Sequence, residues 1–116
     1  MVVIYSSPEL NMIDWTPIIG FDWDEGNARK SADKHDVSQP EAEQAFLNRP
    51  LLVSPDTLHS QQEPRYHALG TTDNKRQLHL TFTVRSSTTG KLIRIISARD
   101  MHRKERTKYE QSKKNS

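Results

Sequence analysis

Apolar and polar residues alternate most regularly between residues 77 and 85, where every second residue is apolar. This period of two predicts a β-strand with one buried face, and it places His79 and the other intervening residues on the opposite face. The stretch 91–98 has apolar residues on both alternating sets, which is typical of a strand covered on both sides. Arg94 interrupts that stretch. Because a guanidinium is costly to bury alone, we expect Arg94 to meet an acidic partner or to open onto a polar surface.

Two shorter stretches, 51–53 and 65–69, also predict strands. Turn-forming residues at 73–75 and 86–90 separate the later strands from one another. Consecutive strands joined by turns predict an antiparallel meander of about four strands.

The first of two helices that precede the sheet begins after Asp24, or Asp22, as its N-cap and runs to about His35. Its expected apolar stripe, at helical spacing, consists of Trp23, Ala28, Ala32 and His35. Asp36 follows at a position where helices often end in a left-handed residue.

The second helix begins with a capping box, in which Ser38 and Glu41 frame an early proline. Ala42, Ala45 and Phe46 give this helix its apolar stripe, and residues 48–50 end it. The order of elements predicts an α+β fold, with two N-terminal helices packed on one face of the antiparallel sheet and a basic C-terminal helix after it. The other face of the sheet would be exposed and functional.

The two ends of the chain carry weaker patterns. From Asp100 onward the sequence is compatible with a helix, but Met101 and Tyr109 are its only large apolar residues. We therefore expect that helix to dock weakly, and to be mobile or completed by a partner. Residues 1–19 have no regular pattern beyond a possible short strand near Val2–Tyr5, so we interpret 1–19 as an N-terminal extension of unclear role and 20–116 as the domain proper.

The composition excludes several classes of protein. The 116 residues include no cysteine, which excludes disulfides and thiolate metal sites. The sequence shows neither an apolar run of membrane-spanning length nor a signal peptide, so a cytoplasmic protein without membrane contact is expected. The histidines lack a metal-binding spacing, and a glycine-rich phosphate loop is missing, so we expect no metal ion and no cofactor.

Charge is distributed unevenly along the chain. Residues 1–48 contain nine acids and three bases, a net charge of −6, and residues 49–116 contain fourteen bases and six acids, a net charge of +8. Such polarity indicates a basic face that suits a polyanion such as RNA, although solvated helix surfaces produce the same pattern.

Several short segments resemble the BrnT family, the toxin half of BrnT–BrnA toxin–antitoxin systems. They are FDWD at 21–24, KHDVS at 34–38, Glu63-Pro64-Arg65, Gly70, IRIISAR at 93–99, and Glu105-Arg106 with Tyr109. The resemblance, over roughly residues 20–110, implies a RelE-like fold, RNA cleavage that arrests translation, and neutralisation by a BrnA-type antitoxin in a hetero-oligomer. It also implies that operator DNA is contacted only through the antitoxin complex. The chain departs from the family at Asn27, Ser31 and Asp36, where the family often has Lys, Asn and Gly.

A ribonuclease that needs no metal must take a proton from the 2′-hydroxyl, neutralise the phosphate, and protonate the leaving 5′-oxygen. Arg65, Arg94 and Arg99 are the candidate phosphate ligands, because planar guanidinium groups match phosphate, and we expect them to converge on one exposed surface. The side chains considered for acid–base chemistry are Lys34, His35, Glu63, His67 and Tyr109. The predicted catalytic set is Lys34, His35, Glu63, Arg65, Arg94, Arg99 and Tyr109.

Each candidate also has a structural interpretation. Lys34 and His35 suit the end of a helix, Glu63 suits an ion pair with Arg65 or Arg94, and Tyr109 suits an anchor for the last helix. Three functions follow: a ribonuclease toxin, a non-catalytic module that binds RNA or its antitoxin, and, more weakly, direct DNA binding by the C-terminal helix.

Overall fold

The computed structural model describes residues 4–6, 18–59 and 62–114, with the backbone alone described for 4–6. In this part of the chain it has three helices and six strands. In chain order they are β1 (Ile4–Ser6), β2 (Ile18–Phe21), α1 (Glu25–His35), α2 (Gln39–Leu47), β3 (Leu51–Pro55), β4 (Tyr66–Thr71), β5 (Gln77–Ser86), β6 (Lys91–Asp100) and α3 (Arg103–Lys114).

The strands form one mixed sheet in the order β1-β3-β4-β5-β6-β2. Strands β3 to β6 pair antiparallel, which confirms the predicted meander. The sheet is wider than expected, because β1 pairs parallel to β3 and β2 pairs parallel to β6. β1 overlaps the possible short strand predicted near Val2–Tyr5, whereas β2 has only four residues, too few for an alternating pattern to show in the sequence. Ile18 and Ile19 belong to β2, and the prediction for most of residues 1–17 lies outside the described residues.

Both early helices cover the same face of the sheet, α1 over β6 and α2 over β3 to β5. The core between the layers is fully buried and includes Phe82, whose ring meets Phe46 edge-on at 5.1 Å between centroids. At Gly70 the helix α2 approaches β4 so closely that an added Cβ would lie 2.1 Å from the carbonyl oxygen of Ala45. Gly70 is therefore needed for space rather than for backbone freedom.

The predicted ends of the first two helices are confirmed. Asp24 caps α1 by accepting a hydrogen bond from the backbone of Asn27, and Asp36 ends it with a φ of 55°. Ser38 and Glu41 form the predicted capping box of α2. Residue 48 follows as the C-cap of that helix, as the sequence indicated.

The predicted apolar stripe of α1 is confirmed only in part: Trp23 packs against the core, and Ala28 and His35 are half-buried. The side chains that α1 buries are Asn27 and Ser31, whereas Ala32 is exposed. The cause is the open edge of β6: β2 ends at Phe21, so the later residues of β6 lack a strand neighbour on that side. Asn27 Nδ2 donates to the carbonyl of Ile95 at 2.8 Å. Ser31 Oγ accepts from the amide of Ala98 at 2.8 Å, so polar side chains of α1 satisfy that edge.

The expectation that the last helix docks weakly is wrong. Met101 and Tyr109 are 2% and 1% exposed, and they pack with Leu69 and Leu52 on the sheet face opposite α1 and α2. The hydroxyl of Tyr109 donates to the carbonyl of Pro50 at 2.7 Å. Two anchors suffice because the sheet supplies the rest of this small cluster. None of the described helices is long and apolar enough to cross a membrane.

Candidate functional site

A β-bulge in β6 decides which side chains reach the open face of the sheet. Ile95 pairs with Phe82 and Ser97 pairs with Thr81, so Ile96 has no partner on β5. The extra residue shifts the alternation by one: Ala98 stays in the core, and Arg99 turns to the face opposite α1 and α2.

Arg99 lines a pocket of about 310 Å³ between this open face and the beginning of α3. We call it the sheet-face pocket. Its walls combine two histidines, an arginine, a lysine and a carboxylate with a small apolar rim. The lining residues are Leu52, Ser54, His67, Leu69, His79, Arg99, Glu105 and Lys108.

Glu105 fixes the orientation of Arg99. The two terminal nitrogens of Arg99 donate to the two carboxylate oxygens of Glu105, at 2.8 and 3.0 Å. The backbone amide of His102 donates to the same carboxylate at 2.7 Å. Burial raises the pKa of Glu105, but these hydrogen bonds outweigh it and hold the pKa at about 2. Arg99 is thus aimed by a carboxylate that stays ionised.

His67 and Asp56 form a histidine–carboxylate pair beside the pocket. Nε2 of His67 lies 3.3 Å from Oδ2 of Asp56, and Nδ1 lies 3.4 Å from the hydroxyl of Thr81. Asp56 is 5% exposed and also meets Nδ1 of His59 at 3.0 Å. Burial alone would raise the pKa of Asp56. The hydrogen bond from His59 and the charges of both histidines outweigh this effect, so the pKa of Asp56 is lowered. An ionised Asp56 favours the tautomer of His67 that keeps its proton on Nε2 and a lone pair on Nδ1.

His79 stacks beside His67, with 4.8 Å between ring centroids. Burial, and next the positive charge of Arg99, lower the pKa of His79 to about 4. His79 is therefore a neutral ring at pH 7. It separates the positive charge of Arg99 from the ring of His67 without adding charge to the pocket.

A second concave region, of about 590 Å³, lies where α1 begins, and we call it the Arg94 pocket. Its charged lining residues are Asp24, Glu25, Lys30, Glu63, Arg65, Arg85 and Arg94. Arg94 donates to Asp24 at 2.8 Å and lies 3.5 Å from Asp22, which confirms the prediction of an acidic partner. Glu63 is not that partner, since it meets Arg85 at 3.4 Å.

The three arginines predicted to bind phosphate share a sheet face but not a pocket. Arg65 and Arg94 line the Arg94 pocket, and Arg99 lines the sheet-face pocket. Arg94 and Arg99 lie opposite Thr83 and His79, four residues apart on β5, which corresponds to about 13 Å along the strand. The three guanidinium groups are therefore divided between two pockets and do not converge on one.

The remaining predicted residues lie elsewhere. Lys34 and His35 line a groove between the end of α1 and the end of β6, and Arg99 lies at the same groove. The hydroxyl of Tyr109 is occupied, because it donates to Pro50 and accepts from Thr71 at 3.0 Å. Its buried position matches the anchoring interpretation.

Sequence reasoning left four important residues out: Asp56, His79, Glu105 and Lys108. The alternation of β5 did place His79 on the open face. Glu105 was part of the BrnT resemblance but was given no role. Asp56 and Lys108 lie 52 positions apart in the chain, and their neighbourhood became visible only in the folded structure. In the part of the chain that the structure describes, no group of three or more His, Asp or Glu side chains is placed to hold a metal ion.

These features define a small α+β domain whose open sheet face carries a cationic site next to a histidine–carboxylate pair. Residues 23–105 match the model of a family described as BrnT, the ribonuclease toxin of type II toxin–antitoxin systems. The chain belongs to the BrnT family. Membership supports ribonuclease activity and implies an antitoxin partner. A search of the curated proteins found no match.

Proposed function

We propose that this chain is a toxin that cleaves RNA on its open sheet face without a metal ion, and that this cleavage inhibits translation. The observation that carries the proposal is the meeting of Arg99, Lys108 and the His67–Asp56 pair at one pocket on the face left uncovered by α1 and α2. These groups match the requirements of metal-free phosphodiester cleavage.

His67 is the general base in this proposal. With its proton on Nε2 held towards Asp56, the lone pair on Nδ1 can take the proton of a 2′-hydroxyl once the hydroxyl of Thr81 gives way. The 2′-oxygen then attacks the adjacent phosphorus, and the bond to the 5′-oxygen breaks. The products are a 2′,3′-cyclic phosphate and a 5′-hydroxyl.

Arg99 and Lys108 supply the positive charge that the five-coordinate phosphate needs. Arg99 keeps two of its five N–H donors, since two are used on Glu105 and one on the carbonyl of Asp100. Lys108 is the ammonium group at the pocket that can protonate the leaving 5′-oxygen.

The other predicted residues take supporting parts. Arg65 and Arg94 suit a neighbouring phosphate of the same strand, because about 13 Å along β5 separates Arg94 from Arg99. Glu63 orients Arg85 beside them. Lys34 and His35 border the groove on the other side of Arg99.

The same proposal covers the fold and the partners. Two helices, a meander and a basic final helix suit a RelE-like arrangement. We propose that a BrnA-type antitoxin covers the basic open face in a hetero-oligomer, and that operator DNA is reached only through that complex.

The chemistry is tested on an RNA oligonucleotide and the DNA of the same sequence, with products analysed by mass spectrometry. Wild type and His102→Ala, an exposed histidine outside the sheet-face pocket, should cut only the RNA and leave 2′,3′-cyclic phosphate ends. His67→Ala should cut at least 100-fold more slowly, which is the usual scale of a lost general base. Equal cleavage of DNA, or full activity of His67→Ala, would refute the assignment.

The non-catalytic module is a second candidate. The observation in its favour is that Arg94 and Arg99 are both already paired with carboxylates, which compete with phosphate. Growth arrest by a variant that cleaves no RNA would establish that alternative.

A further inference from the structure

Another pocket with basic side chains, distinct from the sheet-face pocket and the Arg94 pocket, lies at the end of β4. It measures about 430 Å³ and lies between the end of α2, the turn after β4 and the last turns of α3. We call it the α2–α3 pocket. None of the residues predicted to act on RNA lines it except the buried Tyr109, and Tyr109 serves there as part of the wall.

Arg49 is the fixed cation of this pocket. One terminal nitrogen of Arg49 donates to the carbonyls of Phe46, Leu47 and Asn48, at 2.9, 2.9 and 3.1 Å, and so caps the end of α2. Its Nε is buried and has no hydrogen-bond partner among the described residues. Within the same residues, Arg49 has no carboxylate at ion-pair distance, and burial lowers its pKa. The negative end of the α2 dipole compensates part of this charge, but Nε lacks an acceptor.

Two lysines add to the positive charge. Lys75 is exposed in the turn after β4, and Lys113 extends from α3 with its Nζ 5.3 Å from the ring centre of Tyr109. Asp73 is the acid that lines the pocket, and its carboxylate accepts from Asn48 at 2.9 Å. Lys113 also lies 3.7 Å from the carboxylate of Glu110 on the same helix. Three cations against two carboxylates still leave a net positive charge, which suits an anionic group with several acceptor oxygens.

We propose that the α2–α3 pocket binds a phosphate of the RNA strand beyond the site of cleavage. This inference rests on the proposed ribonuclease function and extends its substrate. Leu69 lines the sheet-face pocket, and Thr71, two residues further on the same face, lines the α2–α3 pocket, a step of about 7 Å. Along α3, Lys108 borders the first pocket and Lys113 the second. Two basic pockets so close together suit successive phosphates of a nucleic-acid backbone better than they suit one acidic side chain.

The first experiment measures phosphate binding without RNA. Inorganic phosphate is titrated into ¹⁵N-labelled protein, and the amide signals of residues 71–75 are followed by NMR. These signals should shift in wild type and in the control Lys104→Gln/Lys114→Gln, which removes two charges from α3 outside the pocket. They should stay unchanged in Lys75→Gln/Lys113→Gln, which leaves Arg49 and its helix cap in place.

The second experiment measures RNA binding with 2′-O-methyl RNA, which cannot be cut. Wild type and control should bind a long strand more tightly than one that covers only the sheet-face pocket. The Lys75→Gln/Lys113→Gln variant should lose that gain of affinity. For this variant and the long strand, the slope of log K against log salt should be smaller in magnitude by about 0.7, the value for one phosphate on a single strand.

The outcomes separate this inference from the function on which it rests. Unshifted amides in wild type, or a Lys75→Gln/Lys113→Gln variant with unchanged affinity and salt slope, would overturn the pocket. If the amides shift but the variant binds RNA like wild type, the pocket binds phosphate from another source. If the variant loses only antitoxin binding, the pocket binds an acidic protein. Either result overturns the RNA proposal. If wild type binds neither strand, the ribonuclease proposal fails instead.

Discussion

Charged side chains on the open sheet face form ion pairs in the absence of a ligand. Arg99 is held by Glu105 through two hydrogen bonds, and Arg94 is held by Asp24. Such pairs fix the planes of the guanidinium groups, so less side-chain entropy is lost when phosphate binds. The same organisation applies to His67, whose ring is oriented by the buried Asp56.

Asp56→Asn tests whether Asp56 positions the general base. The amide keeps the shape of the carboxylate but favours the wrong tautomer of His67, so we expect kcat to fall about 10- to 100-fold with little change in KM for RNA. Asp33→Asn, at an exposed position of α1, is the matched exchange outside the pockets proposed to bind RNA. A rise in KM at constant kcat would show that Asp56 does not act through the base.

His79 makes stability depend on pH. Its folded pKa of about 4 lies below the ordinary histidine pKa of 6.5, so between these values the unfolded chain binds a proton that the folded chain does not. The contribution of His79 to the free energy of unfolding should therefore be complete above pH 6.5. It should be lost as the pH drops towards 4, by up to about 3 kcal/mol. Chemical denaturation across this range should show a flatter profile for His79→Gln and an unchanged profile for His102→Gln. A profile that His79→Gln leaves unchanged would contradict the assignment.

At the scale of elements, the sequence was most informative where a local signal decides the structure. The caps at Asp24 and Ser38 and the alternation of β5 are such signals, and each appears as predicted. The edge strands, the bulge at Ile96 and the polar face of α1 depend on partners far away in the chain. For that reason Asn27 and Ser31, which appeared as departures from the family, could not be recognised as the residues that hold the open edge of β6.

Asn27→Leu tests that contact between α1 and β6. Leucine has a similar size but no donors, so the carbonyls of Ile95 and Asp22 would lose their amide partner. We expect a loss of about 2–4 kcal/mol in the free energy of unfolding, because each unsatisfied buried group costs about 1–3 kcal/mol. The same exchange at the exposed Asn74 should cost less than 1 kcal/mol. Equal effects at both positions would refute the role of Asn27.

Gly70→Ala tests the close approach of α2 to β4. Its Cβ would lie 2.1 Å from the backbone oxygen of Ala45, so the helix would have to move. Overpacking of this kind costs about 1–3 kcal/mol or more, visible as a lower midpoint in thermal unfolding. Gly20→Ala, where the nearest atom is a Leu92 methyl carbon at 3.8 Å, is the control and should change the midpoint little. An unaffected Gly70→Ala protein would show that α2 packs differently.

On the scale of the whole molecule, the fold places the acidic and the basic parts of the sequence on different faces of the sheet. The first 48 residues, net −6, supply both helices of the covered face, and the later residues, net +8, supply the open face and α3. The sequence therefore predicted the layer arrangement and the basic side. It did not predict which cations share a pocket, because that grouping follows from the bulge and from the docking of α3.

The most direct measurement is cleavage of total RNA in EDTA, with and without ribosomes, by wild type, Arg99→Ala and Arg103→Ala. Arg103 is an exposed arginine at the first position of α3, so its variant removes the same charge outside the sheet-face pocket. We predict that EDTA spares cleavage by wild type and Arg103→Ala, and that Arg99→Ala cleaves at least 100-fold more slowly. Loss of wild-type cleavage in EDTA, or equal cleavage by Arg99→Ala and Arg103→Ala, would contradict a metal-free ribonuclease site at Arg99.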